Sequence, residues 1–129
     1  MEFDFNRYIA DFNLNDDETM VPKYFTEDLI LEGPDRTLHG RQEWLGLLKF
    51  AHAGVKERLQ PVLVVRDGDK LMAEVNAVFT PSVDRPDFPF ASLKAGQPLT
   101  MKFFASYRLR GNQIAHFTLA CWLPAMRSV

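Results

Sequence analysis

The hydrophobic period of this chain changes once, at Gly54, and that change restricts it to one fold class. Before Gly54, apolar residues recur at helical spacing; after it they alternate with a period of two. Phe5, Tyr8, Ile9 and Phe12 fall at i, i+3, i+4 and i+7, which predicts a helix over 3–14. The acidic run Asn15-Asp16-Asp17-Glu18 breaks that pattern and suits a turn with a new N-cap. Met20, Val21, Tyr24 and Phe25 resume helical spacing, with Pro22 allowing only a short helix. Asp28 to Glu32 reads as a short strand, closed by Gly33-Pro34-Asp35. A longer helix follows Gly40, with Trp44, Leu47, Leu48, Ala51 and His52 on one face and Gly54 as its C-cap.

Beyond Gly54 the chain reads as strands. Arg58 to Arg66 ends in Asp67-Gly68, a strong hairpin signal, and Leu71, Ala73, Val75, Ala77 and Phe79 then alternate with polar neighbours. The segment 80–98 carries Pro81, Pro86, Pro89 and Pro98 and cannot be a central strand. Met101, Phe103, Ala105, Tyr107 and Leu109 alternate again, Gly111-Asn112 makes a second tight turn, and Gln113 to Leu123 is the last strand. Three helices followed by long antiparallel strands predict an α+β domain, with the helices covering the apolar face of a curved sheet.

A chain of 129 residues predicts a single domain spanning 1–129, long enough to bury a core without disulfides. Its net charge of −2 argues against a nucleic-acid binder or a polybasic membrane binder. One cysteine, Cys121, rules out an intramolecular disulfide and fits a reducing cytosol. The opening MEFDFNRY lacks the apolar core of a signal peptide, and no apolar run has the ~18–20 residues of a membrane helix. A cytoplasmic protein is expected.

Several residues, in order, resemble those of the nuclear transport factor 2-like superfamily, which includes SnoaL-like polyketide cyclases and ketosteroid isomerases. They are Arg7-Tyr8-Ile9, Tyr24-Phe25-Thr26-Glu27-Asp28, Glu32-Gly33-Pro34, His39-Gly40-Arg41, Tyr107-Arg108-Leu109 and Ile114. The resemblance spans almost the whole chain. It implies a curved antiparallel or mixed sheet wrapped around a helix (a cystatin-like roll), a conical pocket and a homodimer. It also implies a match of Tyr8 to the oxyanion-hole tyrosine of ketosteroid isomerases and of Tyr24 to a supporting tyrosine. The two carboxylates of that mechanism fall on Gly33 and Ala105, so proton abstraction by the same groups is not expected.

The catalytic candidates are Tyr8, Tyr107 and His116. A two-residue Gly111-Asn112 loop pairs Arg110 with Gln113, and counting back sets Tyr107 beside His116, with Thr118 and Trp122 on the same face. A phenol and an imidazole side by side in an apolar cone have the chemistry for acid–base work near neutral pH. A bulge at the turn would instead turn His116 outward and hand the pocket to Phe117, Leu119 and Cys121. The expected pocket wall is Tyr24, Trp44, Leu48, His52, Phe79, Met101, Phe103, Thr118 and Trp122, with His52 either at the pocket mouth or as a helix-terminal histidine favoured by the dipole. No His and carboxylate spacing calls for a metal, and no cofactor is expected.

The leading expectation is a domain binding an apolar or aromatic small molecule, as a cofactor-independent isomerase, dehydratase or cyclase. The alternative is a non-catalytic ligand-binding or protein-interaction domain. Large apolar residues on the outer sheet face, Phe104 among them, predict a homodimer through that face. The segment 80–98, with Phe88, Pro89 and Phe90, is expected to fold over the pocket mouth or against a partner subunit.

Overall fold

The structure is a computed structural model and describes residues 2–122. Helix α1 (Phe5–Phe12) begins at Asp4, whose carboxylate accepts from the Arg7 backbone N–H at 3.1 Å, and it buries the four apolar residues of its predicted face. Helix α2 (Asp17–Tyr24) is capped in the same way by Asp16 and ends two residues after Pro22. Strand β1 (Phe25–Glu32) starts earlier than the sequence pattern indicates, because Phe25 and Thr26 are both buried against the helices. A short strand β2 (Thr37–His39) pairs with it and sets His39 opposite Ile30. Helix α3 (Arg41–Ala51) and strands β3 (Val55–Asp67), β4 (Lys70–Pro81), β5 (Leu99–Arg110) and β6 (Gln113–Trp122) complete the described chain. The expected last residue of the final strand, Leu123, lies outside the described residues.

The strands form one open sheet in the order β2-β1-β6-β5-β4-β3. All neighbours are antiparallel except β1 and β6, which run parallel and make the sheet mixed. The three helices cover its concave face. Rings dominate the core: Tyr8 packs against Tyr24, Phe25 and Tyr107 with centroids 5.4, 5.9 and 6.3 Å away, and Phe25 is fully buried. Such edge-on pairs add ~0.5–1.5 kcal/mol each beyond their burial.

Strand β3 is an edge strand, and the turn between α1 and α2 covers its first half. The Asn13 side chain exchanges two hydrogen bonds with the backbone of Leu59, at 2.7 and 3.0 Å. Asn15, at a positive φ of 59°, does the same with Glu57, at 3.1 Å each way. Two amide side chains therefore act as a stretch of partner strand, satisfying edge groups that would otherwise face solvent or another chain. They also fix the backbone of Glu57.

The β5–β6 hairpin carries the main departure from the sequence reading. Arg110 pairs with Gln113 and Leu109 with Ile114 as the turn dictates, but the register then slips by one residue. Arg108 faces His116, and Tyr107 faces Phe117. Ala115 is the extra residue of a β-bulge, and every later side chain of β6 changes face. Packing accounts for the slip. It brings the Phe117 ring to 4.6 Å from that of Tyr107 and against Trp44 and Phe25, and it turns Leu119 and Cys121 inward. The two-residue-turn register would have buried His116 and Thr118 and exposed Phe117.

Candidate active site

His116, expected inside the cone, lies on the outer face, where its Nε2 is 2.5 Å from Oε1 of Glu32 on β1. Thr118 and Trp122 lie on the same outer face and line no cavity in the cone. Tyr24 is buried, but its hydroxyl donates to Asp11 at 2.5 Å, away from the cone. Met101 faces inward and is buried without reaching the cavity. Trp44, Leu48, Phe79 and Phe103 do line it. Tyr8 and Tyr107 line its inner end, and Phe117 takes the place beside Tyr107 that the turn register assigned to His116.

The cavity has two chambers. The outer one, about 60 Å³, lies under α3 and is almost wholly apolar. The inner one, about 30 Å³, reaches Tyr8 and Tyr107. Trp44, Glu57, Phe103 and Leu119 border both chambers. The indole Nε1 of Trp44 is buried without a protein partner among the described residues.

Glu57 and its neighbours form the polar centre of this site. Val55, Glu57 and Leu59 alternate inward at the start of β3, which places a carboxyl on an apolar face. Its Oε1 is 2.8 Å from Nε2 of His52, and Nδ1 of the same ring is 2.7 Å from Oδ2 of Asp17. The three side chains are 7%, 7% and 8% exposed, in the order Glu57, His52, Asp17. His52, expected at the pocket mouth or as a simple helix-terminal group, sits behind the cavity wall between two acids. Its backbone caps α3 by donating to the Leu48 carbonyl at 2.8 Å.

Burial disfavours a charged His52, but the hydrogen bonds and charges of Asp17 and Glu57 outweigh it and raise its pKa to about 9. Burial raises the Glu57 carboxyl above its ordinary range, against the opposing pull of His52. Tyr8 is pushed well up by burial, then by Tyr107 and by Glu57, and burial alone pushes up Tyr107. Both phenols therefore keep their protons and have an O–H to donate. The Cys121 thiol is pushed up to about 12, chiefly by burial, which disfavours the thiolate form. Among the described residues no group of three or more His, Cys, Asp or Glu side chains is placed to hold a metal ion.

The sequence reading missed Glu57 and Asp17. A signal existed for Glu57, an acid in phase with Val55 and Leu59, once β3 is started at Val55 rather than at Arg58. Asp17 carried none, since an acid in a helix's first turn is ordinary.

The segment between β4 and β5 closes the outer chamber as a strap. Pro89 and Phe90 line the chamber, and Phe88 and Phe90 pack on Phe79 with centroids at 4.9 and 6.2 Å. Arg85 anchors the strap: its Nη1 donates to the Ala53 carbonyl at 2.6 Å, and its guanidinium lies 4.9 Å from the Phe50 ring. With the strap closed, the two chambers fall well short of the ~300 Å³ typical of a drug-sized site. Phe90→Ala removes part of the roof. Its affinity for 2-naphthol, followed by the ligand's fluorescence, should rise at least about tenfold over wild type; equal affinities would show that the strap does not limit ligand size.

A family model, the SnoaL-like domain, matches residues 5–117. The chain belongs to the SnoaL-like domain family. Solved structures agree on the fold, which is the nuclear transport factor 2-like α+β cone. IdmH of Streptomyces antibioticus, described as a candidate polyketide cyclase, is 20% identical with a TM-score of 0.74, over 96% of this chain and 98% of its own. A candidate polyketide cyclase of Xanthomonas campestris pv. campestris is 22% identical with a TM-score of 0.72, over 87% of this chain and 82% of its own. A protein of Burkholderia pseudomallei K96243 described as NTF2-like and of unknown function is 16% identical with a TM-score of 0.72, over 95% of this chain and 90% of its own. At these identities the likeness is one of fold. No curated protein sequence matches the chain. No helix of this SnoaL-like domain, among the described residues, is long and apolar enough to cross a membrane.

Proposed function

We propose that this SnoaL-like domain binds a small, largely apolar molecule in its cone and moves a proton on it, as isomerases, dehydratases and cyclases do. Glu57 is the acid–base group, and the Tyr8 and Tyr107 hydroxyls donate to oxygen on the bound molecule. The observation that carries this reading is a buried carboxyl sharing a chamber with two phenols, in a cavity whose other walls are almost all apolar. Burying a carboxyl is costly, and a side chain serving only to fill space there would be apolar. A carboxyl with a raised pKa suits proton transfer near neutral pH. The carboxylates missing at Gly33 and Ala105 thus have a counterpart on a different strand. The proposed chemistry calls for no cofactor, since the proton leaves the substrate carbon for Glu57 and returns from it.

The small volume of the chambers favours a second reading, a binding or accessory domain without catalysis. One experiment separates the two. In D2O the α-hydrogens of cyclohexanone exchange through an enolate. The wild-type protein should accelerate this exchange, and Glu57→Gln should reduce the acceleration by ~10²–10⁴-fold. Binding of cyclohexanone with equal exchange by both proteins would leave the non-catalytic reading.

A further inference from the structure

We infer that His52 is a positioning residue: held between Asp17 and Glu57, it fixes Glu57 through Oε1 and leaves Oε2 as the oxygen that works in the chamber. The inference rests on the acid–base role proposed for Glu57 and names what controls it. Three elements meet at the imidazole. Asp17 comes from the first turn of α2, His52 from the C-terminus of α3, and Glu57 from the start of β3. Each ring nitrogen lies within 2.8 Å of a carboxyl oxygen, so both bonds need a hydrogen. A neutral ring carries only one N–H, and its bare nitrogen would need a protonated carboxyl to donate to it; with both acids ionised, the ring itself supplies both hydrogens. The arrangement therefore holds a proton on each side of the ring, whatever occupies the chamber.

Hydrogen bonds hold the backbone on either side of the imidazole. The Glu57 backbone is bonded to Asn15 in both directions, and the His52 backbone N–H is tied to the Leu48 carbonyl. The Phe12 ring meets the imidazole edge-on, 6.0 Å between centroids. Glu57 uses Oε1 for His52, which leaves Oε2 without a protein partner among the described residues. The remaining titratable groups acting on Glu57 are Tyr8 of α1 and Cys121 of β6, and both keep their protons. A fixed carboxyl that presents one oxygen delivers and removes protons on one face of a bound molecule. That makes His52 and Asp17 determinants of the facial selectivity of the reaction, though neither lines the chamber.

The test is NMR on the full chain with ¹³C-labelled glutamate and ¹⁵N-labelled histidine. In His52→Gln the Glu57 carboxyl should titrate at least one pH unit higher than in wild type, because the cation that favours its ionised form is gone. The pH profile of cyclohexanone exchange should move by the same amount. An unchanged Glu57 titration in a folded His52→Gln protein overturns the inference. If that variant does not fold, the wild-type ¹⁵N shifts decide. Both His52 nitrogens should be protonated from pH 6 to 8, and a His52 ring lacking a proton on either nitrogen in that window overturns it. Failure of Glu57→Gln to slow exchange would defeat the acid–base role by itself, while these titrations still report whether His52 governs Glu57.

Discussion

The unfolding free energy of this protein should fall by on the order of 3 kcal/mol as the pH rises from about 6.5 to about 9. The cause is His52, whose pKa in the folded state is raised to about 9 by its two carboxyl partners, after burial has opposed them. In the unfolded chain a histidine titrates near 6.5. A group that binds its proton more tightly when folded stabilises the fold wherever that proton is present. The contribution is therefore complete below pH 6.5 and is lost as the pH climbs through about 9. Glu57 acts with the same sign, because burial raises its carboxyl and the folded state again holds the proton more tightly. Its share is lost from the ordinary carboxylate range upward. Urea unfolding at a series of pH values measures the sum. His52→Gln is the control. It leaves two carboxyls buried without their shared partner, a change that costs about 3–5 kcal/mol in comparable pairs. Without the imidazole its stability should decline less than that of wild type across this window, so the gap between the two curves narrows as the pH rises. A wild-type stability that does not change between pH 6.5 and 9 would show that the imidazole carries no extra proton.

What the sequence revealed and concealed follows from the range of the forces involved. Helix faces and strand alternation are local, so Phe5, Tyr8, Ile9 and Phe12, and Leu71 through Phe79, were readable directly. The strap was readable too, because prolines exclude a strand and paired phenylalanines rarely face water without reason. The face of β6 was not, since the turn fixes only the first two pairs and the bulge at Ala115 answers to the packing of Phe117 against rings from three other elements. One residue of slip moved His116 from the cone to a pair with Glu32. The site itself was hidden for a related reason. Asp17, His52 and Glu57 lie 35 and 5 positions apart in sequence, and only the packing of α2, α3 and the β3 edge joins them.

The outer face of the sheet should make this protein a homodimer, with light scattering reporting about twice the 14.8 kDa chain mass at micromolar concentration. Register shows why. Leu63, Glu74, Phe104 and Ala120 form one row across β3, β4, β5 and β6, and Val65, Met72 and Ser106 form the row beside it. Leu63, Val65, Met72 and Phe104 are all exposed, Phe104 to 44%. Trp122 lies near Phe104 on the same face, opposite Lys102, whose ammonium pairs with Glu74. Contiguous large apolar side chains on an outer sheet face are characteristic of a contact surface, and a twofold axis lets one such patch cover another copy of itself. Phe104 is at the centre of the patch, where interface energy concentrates. Phe104→Glu should therefore weaken the dimer by about 100-fold or more, equivalent to roughly 2.7 kcal/mol. It would put a like charge opposite Glu74 and, across the axis, opposite its own copy. The side chain points away from the core, so the variant should keep its far-UV circular dichroism while its mass falls to that of one chain. A wild-type protein that is already monomeric at micromolar concentration would show instead that this apolar face is stable in water, and the dimer would have to be abandoned.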